Sequence, residues 1–120
     1  MRKRASLMVA AGLAGLLTAG WSTFAAAADE VTGKQLAFDN KKGNCLACHA
    51  MPTVPDAESP GTIAPPLISM KARYPDKAVL RAQIWDATKI NPNTSMPPFG
   101  KHKILTEQEV DKVTDFIYGL

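Results

Sequence analysis

The chain has 120 residues, 14 Lys and Arg against 11 Asp and Glu, and only two cysteines. Its formal charge of +3 is wholly accounted for by Arg2, Lys3 and Arg4, so the remainder is formally neutral and its charge carries no signal for nucleic acid or an anionic membrane. No basic patch interleaved with aromatics occurs, which disfavours a nucleic-acid role.

Arg2, Lys3 and Arg4 form the basic start of an export signal. Leu7 to Leu17 is apolar or glycine, and Ala25-Ala26-Ala27-Ala28 offers an A-x-A-like cleavage site. Cleavage after Ala28 makes residues 1–28 a signal peptide and leaves 29–120 as a single domain in the periplasm. The alternative is an uncleaved anchor, since Ala5 to Ala28 is long enough to span a bilayer. Thr18, Gly20, Ser22 and Thr23 dilute its second half, so no stable membrane span is expected in the mature form.

A first helix is predicted over Val31 to Asn40. Gly33 and Ala37, four apart, share a face and would admit another helix closely, with Leu36 and Phe38 beside them. Lys41-Lys42-Gly43 ends it, and Cys45-Leu46-Ala47-Cys48-His49 follows. Two thiols three positions apart can each add to a haem vinyl group, and the adjoining histidine then lies beneath the ring to bind iron. The spacing reads as a c-type haem attachment site. A thioredoxin-like pair would want a βαβ pattern, which is absent. Zinc would want four ligands, and only Cys45, Cys48, His49 and the distant His102 are on offer. A Cys45–Cys48 disulfide would close a very short loop and contribute little to stability.

Ala50 to Pro66 holds five prolines and is expected to be an extended loop. Leu67 to Ala72 is a short helix candidate. A longer one is predicted from Pro75 to Ala87, with Pro75 in the first helical position, Asp76 in the first turn, and Leu80, Ile84 and Ala87 as its apolar stripe. Asn91 to Gly100 is again proline-rich loop. The last helix has the clearest signals: Thr106 with Glu109 as a capping box, Leu105 with Val110 as a hydrophobic staple, and Val110, Val113 and Ile117 as the buried face. The expected fold class is all-α, small, with helices and proline-rich loops wrapped around one covalent haem c.

Iron held by His49 needs a second axial ligand, whose identity sets potential and reactivity. Met51 is too near His49 to reach the opposite face, and Met70 reads equally well as core packing. Met96 lies in Thr94-Ser95-Met96-Pro97-Pro98-Phe99, a stiff loop remote enough to cross over. Met96 is the preferred ligand and His102 its rival. The free ring nitrogen of His49 should donate to a carbonyl within Ile63-Ala64-Pro65-Pro66-Leu67. Leu67, Ile68, Trp85, Phe99 and Ile104 are candidates for packing on the haem, and Arg73, Arg81 and Lys101 for pairing with its propionates.

Cys45-Leu46-Ala47-Cys48-His49, Ala64-Pro65-Pro66-Leu67 and Met96-Pro97-Pro98-Phe99, with the terminal amphipathic helix, resemble class I cytochromes c. The resemblance implies covalent haem at Cys45 and Cys48, iron ligation by His49 and Met96, and a Pro65 carbonyl facing the histidine. Gly43 to Met51, Leu80-Arg81-Ala82-Gln83-Ile84-Trp85-Asp86, Met96 to Gly100 and Ile104-Leu105-Thr106-Glu107 narrow it to SoxX, the mono-haem subunit family of SoxAX complexes. That resemblance implies a SoxA-like partner holding the catalytic centre, a SoxYZ-like carrier whose cysteine is joined to thiosulfate, and a downstream cytochrome as electron acceptor. This chain would be the electron outlet of an L-cysteine S-thiosulfotransferase-type complex, with no catalytic residue of its own. The alternative is a free periplasmic electron-shuttle cytochrome.

Overall fold

The computed structural model describes residues 30–120, so the expected export signal and cleavage site lie outside the described residues. Among the described residues four helices carry the fold: α1 (Gly33–Phe38), α2 (Met70–Arg73), α3 (Lys77–Trp85) and α4 (Glu107–Tyr118). Short 3-10 turns occupy Cys45–Ala47 and Ala87–Lys89. Among the described residues the only β pairing is an isolated parallel bridge between His49 and Ala64, and no helix is long and apolar enough to cross a membrane.

Helix α1 is shorter than the predicted 31–40 because both its ends are capped. Thr32 accepts from Gln35 N, and the Gln35 side chain returns to Thr32 N at 2.8 Å. Asp39, extended at ψ 116°, stops the helix, and Gly43 N–H then takes the Leu36 carbonyl at 3.0 Å. The small-residue face does what its spacing predicts. A Cβ built on Gly33 would lie 1.9 Å from the Lys112 carbonyl oxygen of α4, and Ala37 is fully buried.

Helix α3 begins two residues later than predicted. Pro75 precedes the helix, and Asp76 is its N-cap, accepting from Ala78 N at 2.8 Å. Leu80 and Ile84 are buried against α4, and Ala87 continues the stripe inside the following 3-10 turn. In α4 the capping box forms as read: Thr106 Oγ1 takes Glu109 N–H at 3.2 Å, and Glu109 takes Thr106 N–H at 2.8 Å. Leu105 and Val110, the two ends of the staple, are both buried. Glu109 is held below the usual glutamate range by the Thr106 N–H and then by Lys42, whose Nζ is 2.9 Å away.

The long loop after α1 is stitched to the first cysteine turn rather than left free. Gly61 N–H bonds the Leu46 carbonyl at 2.9 Å, Ala64 N–H the Cys48 carbonyl at 3.0 Å, and Leu67 N–H the Ala50 carbonyl at 2.8 Å. Gly61 permits this approach, because a Cβ there would lie 1.9 Å from the Ala47 carbonyl oxygen.

Candidate functional site

The turn that carries the cysteines is built from its neighbours' backbone. Asn44 enters it in the left-handed region at φ 45°, a conformation asparagine tolerates better than most side chains. Cys48 N–H and His49 N–H then both reach the Cys45 carbonyl, at 3.2 and 2.9 Å. The two cysteines form no disulfide with each other. Burial pushes the Cys45 thiol up to about 11, so at neutral pH it is a protonated thiol rather than a thiolate.

Cys45, His49 and Met96 line one cleft that is partly open to solvent. Its walls are otherwise mostly apolar: Leu67, Met70, Leu80, Ile84, Phe99 and, from α4, Val113 and Ile117. Cys48 is half-buried and lies just outside this lining. The parallel bridge to Ala64 aligns His49 with the proline segment, and Nδ1 sits 2.7 Å from the Pro65 carbonyl oxygen. A carbonyl can only accept, so Nδ1 carries the proton and Nε2 keeps its lone pair for a metal.

The other sequence candidates divide. His102 is exposed and lies outside the cleft lining, its backbone N–H bound to the Pro98 carbonyl at 2.9 Å. Met51 is buried in the core and Met70 is both core and cleft wall. Leu67 and Phe99 line the cleft. Ile68 is largely exposed, while Trp85 and Ile104 pack on the core outside the lining. Arg73 does line the cleft, donating to the Pro66 carbonyl at 2.8 Å. Arg81 and Lys101 are instead committed to Asp111 and Asp86. Propionate pairing by those two would require breaking ion pairs.

Two features escaped sequence reasoning. Gln83 lines the cleft with its Nε2 4.0 Å from Met96 Sδ. Its position on α3, just off the Leu80–Ile84 stripe, gave a faint signal that helical periodicity alone leaves unread. Gly61 was the second, its role depending on a contact with Ala47 that no local pattern encodes.

The family described as cytochrome c oxidase, cbb3-type, subunit III matches residues 31–117. The chain belongs to this cytochrome c family. A chain of the crystal structure of SoxXA from P. pantotrophus is 32% identical, with a TM-score of 0.65 over 72% of this chain and 77% of that one. No curated protein matches at a significant level. The cytochrome is therefore SoxX-like, with the small all-α class I cytochrome c fold, and its role is electron transfer. The family implies covalent haem c, and the residues present fit it. A thiol, an imidazole with one nitrogen already committed, and a thioether converge on an apolar cleft, which is the donor chemistry a tethered iron porphyrin needs.

Proposed function

We propose that this chain is the mono-haem electron outlet of a SoxXA-type complex in periplasmic thiosulfate oxidation. Residues 1–28 would direct export and be removed, and the mature domain, 29–120, would pair with a SoxA-like subunit. In that complex thiosulfate is joined to a cysteine thiol of a SoxYZ-like carrier; the new S–S bond releases two electrons, which leave one at a time. The bond-forming centre belongs to the partner, and this chain contributes no catalytic residue.

One haem c, held here, supplies reversible one-electron storage. Cys45 and Cys48 would tether it through thioethers, and His49 and Met96 would hold its iron. The Pro65 carbonyl fixes the tautomer and plane of His49 and makes Nε2 a stronger donor. Histidine and methionine together would give that iron a raised potential suited to accepting electrons. The apolar wall from α3 and α4 would keep water from one side of the group and favour its less charged, reduced state.

The observation that carries this reading is the convergence of Cys45, His49 and Met96 on one cleft, with His49 Nδ1 already bound to Pro65. The test is purification of the native protein from its source. Haem that survives denaturing electrophoresis, together with a second c-type cytochrome that co-purifies, is the expected result. A colourless band overturns the haem assignment. A coloured but solitary monomer overturns the complex and leaves a soluble shuttle.

A further inference from the structure

The loop bearing Met96 leaves the end of α3 and returns to it, and one buried carboxylate stands at both places. Asp86 follows α3 directly and is 2% exposed. Its Oδ1 accepts the Thr88 N–H at 3.2 Å and the Thr88 hydroxyl, capping the 3-10 turn from which the loop departs. Its Oδ2 is buried without a hydrogen bond and faces Lys101 Nζ at 3.0 Å, where the loop comes back. Thr88 and then Lys101 hold the Asp86 carboxyl below the usual aspartate range.

Burying a charge is costly unless it is matched, so a carboxylate here calls for a reason beyond packing. Its geometry supplies one, because the two oxygens address the two ends of a single segment. Backbone bonds reinforce both ends: at the departing one Lys89 N–H takes the Asp86 carbonyl at 3.3 Å, and Ile90 and Asn91 N–H take the Ala87 carbonyl at 3.2 and 3.1 Å. The Trp85 carbonyl accepts Gly100 N–H and Lys101 N–H, each at 3.2 Å, and the Trp85 ring fills the space a Gly100 Cβ would take. Between the ends Met96 is held locally, by its own N–H on Thr94 Oγ1 at 3.1 Å.

We propose that Asp86 is a positioning residue that fastens the Met96 loop shut, and so sets how readily Met96 yields its place at the iron. The proposal rests on Met96 being the axial ligand. Asp86→Asn keeps an acceptor for Thr88 but removes the charge facing Lys101, which separates the two ends of the fastening. Lys101 is half-exposed and would turn to water, leaving the return end of the loop with backbone bonds alone.

The experiment titrates the ferric holoprotein with imidazole, which competes with Met96, and follows the methionine–iron charge-transfer band. Asp86→Asn is expected to bind imidazole at least about tenfold more tightly, the low end for a charge-assisted contact partly screened by water. Lys101→Met should act in the same direction, and the double variant should add little to either, because the two residues share one interaction. Thr114→Ala serves as control: Thr114 is buried in α4, its hydroxyl on the Val110 carbonyl at 2.7 Å, and its loss should lower stability to urea without changing imidazole affinity. The proposal is overturned if Asp86→Asn and Lys101→Met match the wild type or Thr114→Ala, or if their effects simply add. Should Asp86→Asn fail to fold, Lys101→Met decides alone. Met96→Ala separates the two layers: it should abolish the band, and if the band persists in it, Met96 is not a ligand and both readings fall.

Discussion

Gly33→Ala is expected to be among the most damaging single-methyl additions in this chain. Gly33 opens α1, where α1 crosses α4, and an added Cβ would sit 1.9 Å from the Lys112 carbonyl oxygen and 2.6 Å from its carbon. The obstacle is helical backbone, which cannot rotate away as a side chain can. Relief therefore requires α1 to move off α4 by more than about 1 Å, since non-bonded heavy atoms rest at about 3.5–4.0 Å. Overpacking costs about 1–3 kcal/mol in general, and a rigid partner puts this case near about 3. Gly33 is the first helical residue, so alanine's helix propensity offsets little of that. For a domain of this size, about 3 kcal/mol corresponds to a Tm lower by roughly 12 °C or more. The movement would also drag Thr32 and Val31, whose carbonyl takes Lys112 Nζ at 3.1 Å. Thermal unfolding of the haem-loaded variant, followed by far-UV circular dichroism, measures the loss. A Tm within about 2 °C of wild type would refute the claim that this crossing is closed by the absence of one methyl group.

Three further outcomes follow from named contacts. Gln83→Leu removes an amide directed at Met96 Sδ; a donor there withdraws electron density from the sulfur and favours ferrous iron, so the variant's midpoint potential, read by spectroelectrochemistry, should fall. Glu109 has a folded pKa lowered by Thr106 and Lys42, so it contributes stability above its unfolded pKa of about 4.3 that is lost as pH falls through the lower folded value; Glu109→Gln should flatten urea stability across that acid window and leave the slope above pH 6 unchanged. Thr106→Ala deletes one half of the α4 capping box and should cost about 1 kcal/mol in chemical denaturation, with haem content unaltered.

What was legible in the sequence follows the range of the physics behind it. Leu105, Thr106, Glu109 and Val110 lie within six consecutive residues, so the start of α4 is a local property and forms as read. Gly33 and Ala37 declared a face but not its partner; that the partner is Lys112 depends on the chain's return many residues later. Helix α3 began late because Asp76 competed successfully for the capping position that an earlier start would have denied it. At the site, the cysteine-histidine motif was readable as chemistry, and the Pro65 carbonyl as a matching acceptor within the named segment. Arg81 and Lys101, candidates for the propionates, are paired with Asp111 and Asp86, carboxylates that only tertiary folding brings to them. Gln83 gives only the faint signal of its place beside the Leu80–Ile84 stripe and Gly61 gives none, since each matters through a contact across the fold.

The same geometry explains why so short a domain can hold its shape with its cofactor at the centre. Eight of the eleven residues in the buried apolar cluster also line the cleft: Leu67, Met70, Leu80, Ile84, Phe99, Leu105, Val113 and Ile117. The core is thus a shell around a space, and the side chains that would pack against each other in an ordinary small domain face inward onto something else. A small chain buries too little surface to be comfortably stable alone, and an apolar group gripped within it adds burial without adding residues. Whatever interacts with the folded form and not with the unfolded one stabilises it. On this view the thioethers and the axial bonds do separate jobs. Cys45 and Cys48 would keep the group from leaving, whereas His49 and Met96, steered by Pro65 at one face and by Asp86 and Lys101 at the other, would set what its iron does.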